Sequence, residues 1–492
     1  MGNPAYQSQS SSAAKLSPTY AQRTPESGKV FGLIQRNWLK FTAEANQVEK
    51  PPAKHIVKEI EEFLGCGVLA RGFLRLKCDT CNSSRFVAFS CKRRGFCPSC
   101  CGRRMNEGAA YLVDYVFPHV PIRQWVISFP IPVRFWMARN PKLITLSLGI
   151  FHRALVAHYR AAGKKMGISG QALTGAITVV QRFGSALNGN IHFHILALDG
   201  VYVPGPSGTL QFVETPRPAA EEVMSLIGTI QRRMLRALQR RGLVQKLEAE
   251  NGGDAESEES LEALCQGASV QYRLAMGTPP GRPVRRIGSL GFIGEDPKPT
   301  GALSAIIGGY SLHAGTYVHQ NDRAGLERMC RYLLRPPVAE DRLEVRSSPQ
   351  PQGTDSVVYK LKSQWSDGTK AILLTGVEFV EKIVSIIPQP RIHGTRFHGV
   401  LAPHSAHRKL VVPAPEPVKQ QIEVADSTKS RPTRHPRLKW AQLLSRVFGV
   451  DVTQCSCGGK LTVIAAIMDE DQIRRILDHM GLPSQVPKFW PA

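Results

Sequence analysis

The fold is decided by residues 176–198, which read AITVVQRF, GSALNG and NIHFHILAL in succession. The first and last runs, Ala176–Phe183 and Asn190–Leu198, are apolar, as expected of β-strands. The six residues between them are rich in Gly, Ser and Asn, which favour a turn. The stretch therefore predicts an antiparallel hairpin in which alternate residues of each strand share a face.

The second strand of this hairpin carries His192 and His194, two residues apart. Both side chains would lie on one face with Leu196, while Ile191 and Phe193 would point into a core. Two neutral imidazoles side by side on a rigid strand form half of a site for a divalent cation. The alternative is a pair of structural histidines on a half-buried strand, which is the commoner meaning of an isolated His-hydrophobe-His triplet.

Gln181 is the predicted third ligand of this cation. A turn centred between Ala186 and Leu187 would put Gln181 directly opposite His192, and opposed residues lie on the same face of a sheet. Two imidazoles and one amide oxygen leave positions open for a phosphate oxygen and water, which suits Mg²⁺ or Mn²⁺. A register shifted by one residue would move Gln181 to the other face.

The chain is strongly basic, with 63 Lys and Arg against 39 Asp and Glu in 492 residues and a net charge of +24. Such a charge favours a polyanionic partner, and a chain of this length should form two or three domains. No apolar run approaches the roughly 18 residues that a membrane helix needs, and Met1–Lys29 lacks the apolar core of a signal peptide. We therefore expect a cytoplasmic protein that binds DNA or RNA and no membrane, although a merely soluble basic protein could have the same charge.

Six of the eleven cysteines lie between Cys78 and Cys101, which favours metal binding over a disulfide framework. The knuckles Cys78-Asp79-Thr80-Cys81 and Cys97-Pro98-Ser99-Cys100 are separated by fifteen residues, the spacing of a zinc ribbon. We expect one structural zinc site, closed by four thiolates: Cys78, Cys81, Cys97 and Cys100. The basic residues beside it are the predicted DNA-docking rim: Lys92, Arg93, Arg94, Arg103 and Arg104.

The remaining cysteines have no assigned role. Cys91 and Cys101 could substitute for a ligand or form a second site, and Cys66 could pair with either. Cys455-Ser456-Cys457 is a single C-x-C pair with no partner pair downstream, so we do not expect it to bind metal.

The segment Leu326–Pro337 predicts a short amphipathic helix with Tyr332 off its apolar stripe. Arg328 and Arg335 fall on the side of the tyrosine, and Arg331 directly precedes it. A tyrosine flanked by guanidinium groups is placed to meet a phosphate. The alternative is an amphipathic tyrosine on a surface helix, which is the more usual role of such a residue. Other tyrosines lack this basic setting: Tyr310, Tyr317 and Tyr359.

Five motifs in this order resemble the rolling-circle insertion-sequence transposases of the HUH (His-hydrophobe-His) class, the IS91 type. The resemblance runs from about Cys66 to about Pro413. Its motifs are 78–104 (CDTC…SCKRRGFCPSCCGRR), 181–202 (QRFGSALNGNIHFHILALDGVY), 311–315 (SLHAG), 330–337 (CRYLLRPP) and 397–403 (FHGVLAP). The C-terminal knuckle departs from the family, because relatives tend to have C-x2-C where this chain has C-x-C.

The resemblance implies an α+β fold, with an N-terminal zinc-ribbon-like module followed by an HUH endonuclease domain, an antiparallel sheet with flanking helices. It also implies that His192 and His194 hold the catalytic cation and that Tyr332 cleaves single-stranded DNA at the element ends, forming a 5′-phosphotyrosine before joining to target DNA. Arg328 lies four residues before Tyr332 and Pro336 four after, so the chain resembles the single-tyrosine variant. No P-loop is present, so we expect no nucleoside triphosphate.

The resemblance divides the chain into segments and places the protein in the bacterial cytoplasm. The expected segments are a disordered leader (1–29), a transposase zinc-binding domain (30–116), an HUH endonuclease domain (117–412) with a flexible insertion near 248–262, a linker (413–436) and a small C-terminal segment (437–492). Two alternatives stay open: a replication initiator or relaxase with the same nicking chemistry, and a zinc-ribbon DNA-binding protein without catalytic activity.

Overall fold

The computed structural model describes residues 24–168, 170–243, 259–289, 301–347, 353–413 and 451–489, together with 442 and 446. Parts of four predicted segments lie outside these residues: 1–23 of the leader, 248–258 of the insertion, 414–436 of the linker, and 437–441, 443–445, 447–450 and 490–492 of the C-terminal segment. A search of the described helices finds none that is both long and apolar enough to cross a membrane.

The chain forms two compact units. The small unit combines 69–89 with 451–484, and the large unit contains 25–68, the described residues between 90 and 413, and 485–489. The predicted C-terminal segment therefore shares a unit with a hairpin from the N-terminal part of the chain.

The helices, numbered along the chain, are α1 (Lys29–Gln47), α2 (Lys54–Leu64), α3 (Pro98–Tyr115), α4 (Ile131–Arg139), α5 (Pro141–Lys165), α6 (Ala220–Gln239), α7 (Leu261–Val270), α8 (Arg323–Leu333), α9 (Gly376–Ile386), α10 (Arg408–Val411) and α11 (Glu470–His479).

The strands are β1 (Phe73–Cys78), β2 (Ser84–Ala88), β3 (Ile122–Ser128), β4 (Gly175–Phe183), β5 (Gly189–Leu198), β6 (Gly200–Pro204), β7 (Leu210–Glu214), β8 (Arg285–Ile287), β9 (Ser304–Ile307), β10 (Tyr310–Val318), β11 (Leu343–Arg346), β12 (Ser356–Lys360), β13 (Ala371–Thr375), β14 (Thr395–Gly399) and β15 (Leu461–Ile467). Together with the helices they confirm the α+β class.

The central sheet of the large unit has six strands in the order β14-β4-β5-β3-β10-β9, and every neighbouring pair is antiparallel. The predicted hairpin is confirmed as β4 and β5. Gln181 pairs with His192 across it, which is the register that the turn length predicts. Ser128 of β3 lies on the other side of His192, so β5 is an interior strand.

The two faces of this sheet bury different helices. Phe193, Ile195 and Trp125 point to the side where α4, α5 and α6 supply the rest of a large apolar core. Leu196 and Val179 point to the other side, where α3 and α8 pack. Because side chains alternate along a strand, His192 and His194 lie on the side of α3 and α8.

A second, four-stranded sheet of the large unit has the order β11-β12-β13-β8. Its apolar residues share a core with α1, α2, α7 and α9. A partly buried ion pair supports this region, because Asp355 accepts hydrogen bonds from Arg36 Nε (3.0 Å) and Asn37 Nδ2 (2.7 Å) of α1.

The small unit is built on a three-stranded antiparallel sheet in the order β15-β1-β2. Phe73 and Phe86 meet edge to face with their ring centroids 5.0 Å apart. In α11, Ile473 and Leu477 are buried.

Candidate metal centres and tyrosine site

His192 and His194 project side by side from β5, with their ring centroids 4.9 Å apart. His192 is half-buried, and its Nδ1 lies 2.8 Å from the main-chain oxygen of Asn190. A carbonyl oxygen only accepts, so Nδ1 carries the proton and Nε2 is the acceptor nitrogen of this ring. That tautomer suits a metal ligand.

His194 is buried, and its Nε2 has no hydrogen-bond partner among the described residues. Its other nitrogen, Nδ1, lies 2.8 Å from Nε2 of Gln124, a residue of β3. Burial, then the neighbouring His192 and the cation of Arg335, hold the pKa of His194 well below its usual value. The ring therefore stays neutral, which is the form that binds metal.

Gln181 lies on the same face and is also buried. Its Nε2 donates to the main-chain oxygen of Leu333 at 2.8 Å, and its Oε1 has no partner among the described residues. A buried polar atom without a partner costs free energy unless a ligand or water satisfies it. Oε1 of Gln181 and the Nε2 atoms of His192 and His194 therefore fit a divalent cation when the amide of Gln124 is turned so that its oxygen accepts the proton of His194 Nδ1.

Tyr332 lies on α8 beside this face. The helix begins after Asp322, whose carboxylate caps the main-chain N–H of Gly325 at 2.7 Å. Leu326, Met329, Cys330 and Leu333 form its buried side. The Tyr332 ring stays 44% exposed, and its centroid lies 6.4 Å from that of His194. The phenol is thus both next to the imidazoles and open to a large substrate.

Two cations stand against the Tyr332 ring. The guanidinium carbon of Arg335 lies 4.3 Å from the ring centroid, and Nζ of Lys362 lies 4.7 Å from it. The predicted cation Arg328 is exposed on α8, while Arg331 pairs with Glu327 of the same helix. Arg335 and Lys362 are therefore the cations best placed for a phosphate at the phenol oxygen.

Helix α3 packs against α8 in the same apolar core. Arg323 of α8 donates to the main-chain oxygens of Phe117 (3.1 Å) and Pro118 (3.2 Å), which follow α3. A Cβ on Gly108 would lie 2.9 Å from Cδ1 of Leu334, so α3 lies close to the residue that follows α8 at this glycine. The start of α3 also belongs to a thiol cluster, which includes its N-cap residue Cys97 and Cys100 of its first turn.

That cluster lies in the large unit and consists of Cys66, Cys91, Cys97 and Cys100. The Sγ atoms of Cys66 and Cys100 are 3.6 Å apart, those of Cys91 and Cys100 are 3.4 Å apart, and those of Cys97 and Cys66 are 3.6 Å apart. Cys97 and Cys100 lie at the start of α3, and Cys66 follows α2. Four thiols in this arrangement fit a closed tetrahedral zinc site.

The prediction that Cys78, Cys81, Cys97 and Cys100 close one site is wrong in its grouping. Cys78 and Cys81 lie in the small unit, where their neighbours are Cys455 and Cys457. The expectation that Cys455 and Cys457 have no partner pair is wrong as well, because that pair lies upstream. Both knuckles do lie in clusters of four thiols that fit zinc, but the two clusters are different. Strand β2 lies between the two knuckles in the sequence, and they belong to different units. Cys101 is buried outside both clusters, and burial raises its pKa to about 12.

Three of the five residues of the predicted DNA-docking rim are exposed, and the other two bond to groups within the protein. Lys92, Arg94 and Arg103 are exposed. Arg93 pairs with Glu62, and Arg104 donates to the main-chain oxygen of Lys92. Only the first three present side chains that are largely in solvent.

Sequence reasoning missed three contributors to these sites. Gln124 and Lys362 carry no local signature, and they reach the imidazoles and the tyrosine through strand pairing and loop packing. The Cys455–Cys457 pair did carry a signal, since the glycines after it are typical of a metal knuckle.

Two family models match the chain. The model of the transposase zinc-binding domain of the IS91 type matches residues 33–129, and a model described as "Putative transposase" matches residues 175–409. No curated protein and no solved structure matched the chain. The zinc-binding domain and the thiol clusters support structural Zn²⁺. With a zinc-binding domain followed by a transposase domain in the same chain, the protein is a transposase of the IS91 type.

Proposed function

We propose that this transposase cleaves and rejoins single-stranded DNA through Tyr332, in rolling-circle transposition, with a divalent cation held by His192, His194 and Gln181. The observation that carries the proposal is the meeting of an exposed tyrosine with two buried polar atoms that have no hydrogen-bond partner among the described residues. These atoms are Nε2 of His194 and Oε1 of Gln181.

The chemistry follows from the side chains. Bound Mg²⁺ or Mn²⁺ would neutralise charge on the scissile phosphate. The Tyr332 oxygen attacks phosphorus and loses its proton, the bond from phosphorus to O3′ breaks, and O3′ takes up a proton. The products are a 5′-phosphotyrosine and a free 3′-hydroxyl. The ester conserves the energy of the phosphodiester, so attack by a 3′-hydroxyl reverses the step and joins strands.

Arg335 and Lys362 would stabilise the negative charge that develops at the phenol oxygen and the phosphate. Exposed cations elsewhere on the large unit, such as Arg94 and Arg103, would hold flanking DNA. With Arg328 and Pro336 four residues to either side of Tyr332, one tyrosine on α8 would perform both cleavage and joining.

The proposal is tested with labelled single-stranded DNA that carries the ends of the element, incubated with the full chain and Mn²⁺ or Mg²⁺. We expect a covalent protein–DNA adduct that survives denaturation and maps to the peptide containing Tyr332. The adduct should disappear in Tyr332→Phe, His192→Ala and His194→Ala, and it should persist in Tyr317→Phe, a matched control on another exposed tyrosine.

Two results would contradict the proposal. An adduct that persists in Tyr332→Phe would assign the nucleophile to another residue. Binding of these DNA ends without any cleavage, in either metal, would favour a DNA-binding protein without catalytic activity.

A further inference from the structure

The small unit holds a second set of four thiols, and two of them lie outside the residues that the zinc-binding family model matches. Cys78 and Cys81 flank the turn between β1 and β2, whereas Cys455 and Cys457 precede β15. The Sγ atoms of Cys78 and Cys457 are 3.5 Å apart, and those of Cys81 and Cys455 are 3.7 Å apart.

These distances distinguish a metal site from a disulfide. Two bonded sulfurs lie about 2.05 Å apart. Four sulfurs at about 2.3 Å from one zinc ion lie about 3.8 Å from one another in a regular tetrahedron. The spacings in the small unit are close to the second value, and all four sulfurs lie within 4.8 Å of one another.

The main chain around the thiols is built as two interlocked knuckles. Main-chain N–H of Asp79 donates to the oxygen of Lys460 at 3.1 Å, and main-chain N–H of Lys460 donates to Oδ1 of Asp79 at 2.9 Å. In the second knuckle, main-chain N–H of Cys455 donates to the oxygen of Gly459 at 2.8 Å, and main-chain N–H of Gly458 donates to the oxygen of Cys455 at 2.9 Å. These hydrogen bonds hold the second knuckle in a tight turn that carries both of its thiols.

Two glycines allow this close approach. Gly458 has a φ of +89°, which L-residues with a side chain rarely adopt. A Cβ on Gly459 would lie 2.7 Å from the Cys78 sulfur and 2.5 Å from Thr80 Oγ1. The backbone of one knuckle is thus fitted to the thiols of the other.

We propose that Cys78, Cys81, Cys455 and Cys457 bind a second structural zinc ion, which joins the C-terminal segment to the β1–β2 hairpin. The core next to these thiols is small, since it contains only Cys78, Cys455 and Leu461 with Leu76 packed against it, among the residues described. A unit of this size commonly needs a metal to fold. Zinc therefore supplies a cross-link between chain segments that the rest of the protein separates.

The experiment measures zinc per chain in the full-length protein after removal of loosely bound metal. We expect two ions in the native protein and one in the double variant Cys455→Ser/Cys457→Ser. The Cys97→Ser/Cys100→Ser variant should also keep one ion. The matched control Cys101→Ser/Cys330→Ser, which changes two buried thiols outside both clusters, should keep two.

A second measurement does not depend on whether the variants fold. Cysteine alkylation of the native protein, mapped by mass spectrometry, should leave Cys455 and Cys457 unmodified although Cys457 is exposed. Chelation of zinc should make both reactive, together with Cys78 and Cys81. One zinc ion per native chain, or rapid alkylation of Cys457 before chelation, would overturn the proposal.

Discussion

Nε2 of Gln181 donates to the main-chain oxygen of Leu333 at 2.8 Å, so a candidate metal ligand on β4 is bonded to the residue that follows Tyr332. One side chain thereby links the proposed cation site to the helix that carries the proposed nucleophile. The amide nitrogen holds α8, and the amide oxygen remains for the cation.

Gln181→Leu should therefore affect both metal binding and stability. The concentration of Mn²⁺ needed for half-maximal cleavage should rise at least tenfold. The unfolding free energy should fall by about 1–3 kcal/mol, because the buried carbonyl of Leu333 loses its donor. Gln181→Glu keeps oxygen ligands but cannot donate when ionised, so it should retain Mn²⁺ affinity and lose turnover. Calorimetric titration with Mn²⁺ and cleavage rates separate these effects; an unchanged metal dependence in Gln181→Leu would remove Gln181 from the site.

Gln124 should set the tautomer of His194. A cation on Nε2 requires a proton on Nδ1, so the amide of Gln124 must turn its oxygen toward Nδ1 by a half-turn of its side chain. Gln124→Leu should weaken metal affinity by roughly 10–100-fold, as loss of such partners usually does. Gln124→Glu keeps an acceptor at Nδ1 and should stay closer to the native affinity. Equal losses in both variants would argue for a packing role alone.

Arg335 and Lys362 should matter more than Arg328. Removing either cation from the Tyr332 ring, as Arg335→Ala or Lys362→Ala, should slow cleavage by roughly tenfold, which corresponds to about 1.4 kcal/mol. Each change should also reduce the salt dependence of DNA binding by about one unit of slope. Arg328→Ala, which removes an exposed cation from the helix of Tyr332, is the control. A larger loss in Arg328→Ala than in Lys362→Ala would contradict this arrangement.

His398 of the FHGVLAP motif should make stability depend on pH. Its ring stacks on His152 at 4.2 Å between centroids, and its Nε2 lies 2.9 Å from Thr178 Oγ1. Burial, then His152 and Arg396, lower the pKa of His398 to about 3. Because the unfolded chain takes up this proton near pH 6.5, stability is full above that pH and falls as the pH drops toward about 3.

The slope for this one group approaches about 1.4 kcal/mol per pH unit. His398→Gln should remove it, and the exposed control His404→Gln should not. Denaturant melts of both variants and the native protein at each pH cancel contributions that they share, such as zinc loss in acid. Parallel curves for all three proteins would refute the prediction.

A buried ion pair holds the end of the central sheet. Arg123 donates to Asp199 from Nε at 2.9 Å and from a terminal nitrogen at 2.6 Å, and Tyr159 donates to the same carboxylate at 3.0 Å. Asp199→Asn should lower the unfolding free energy by about 3–5 kcal/mol, since it leaves the guanidinium buried without a counter-charge. The double variant Arg123→Met/Asp199→Leu should cost less than Asp199→Asn. Calorimetric melting of both tests this ranking.

Much of the tyrosine–histidine site could be predicted because it depends on local periodicity. The alternation in β5 put His192 and His194 on one face, and the length of the turn set Gln181 opposite His192. The apolar stripe of α8 likewise left Tyr332 outside the core. In each case neighbours in sequence decide the geometry.

The tertiary structure alone decided which cysteines meet and which cations reach the tyrosine. A knuckle presents two thiols whatever its partner is, so spacing predicts zinc but not pairing. Strand β15 pairs with β1, and this pairing places Cys455 and Cys457 beside Cys78 and Cys81. Cys97 and Cys100 belong to the large unit, where they cluster with Cys66 and Cys91. The order in which the strands pair brings together residues that are far apart in sequence, and no local pattern encodes that order.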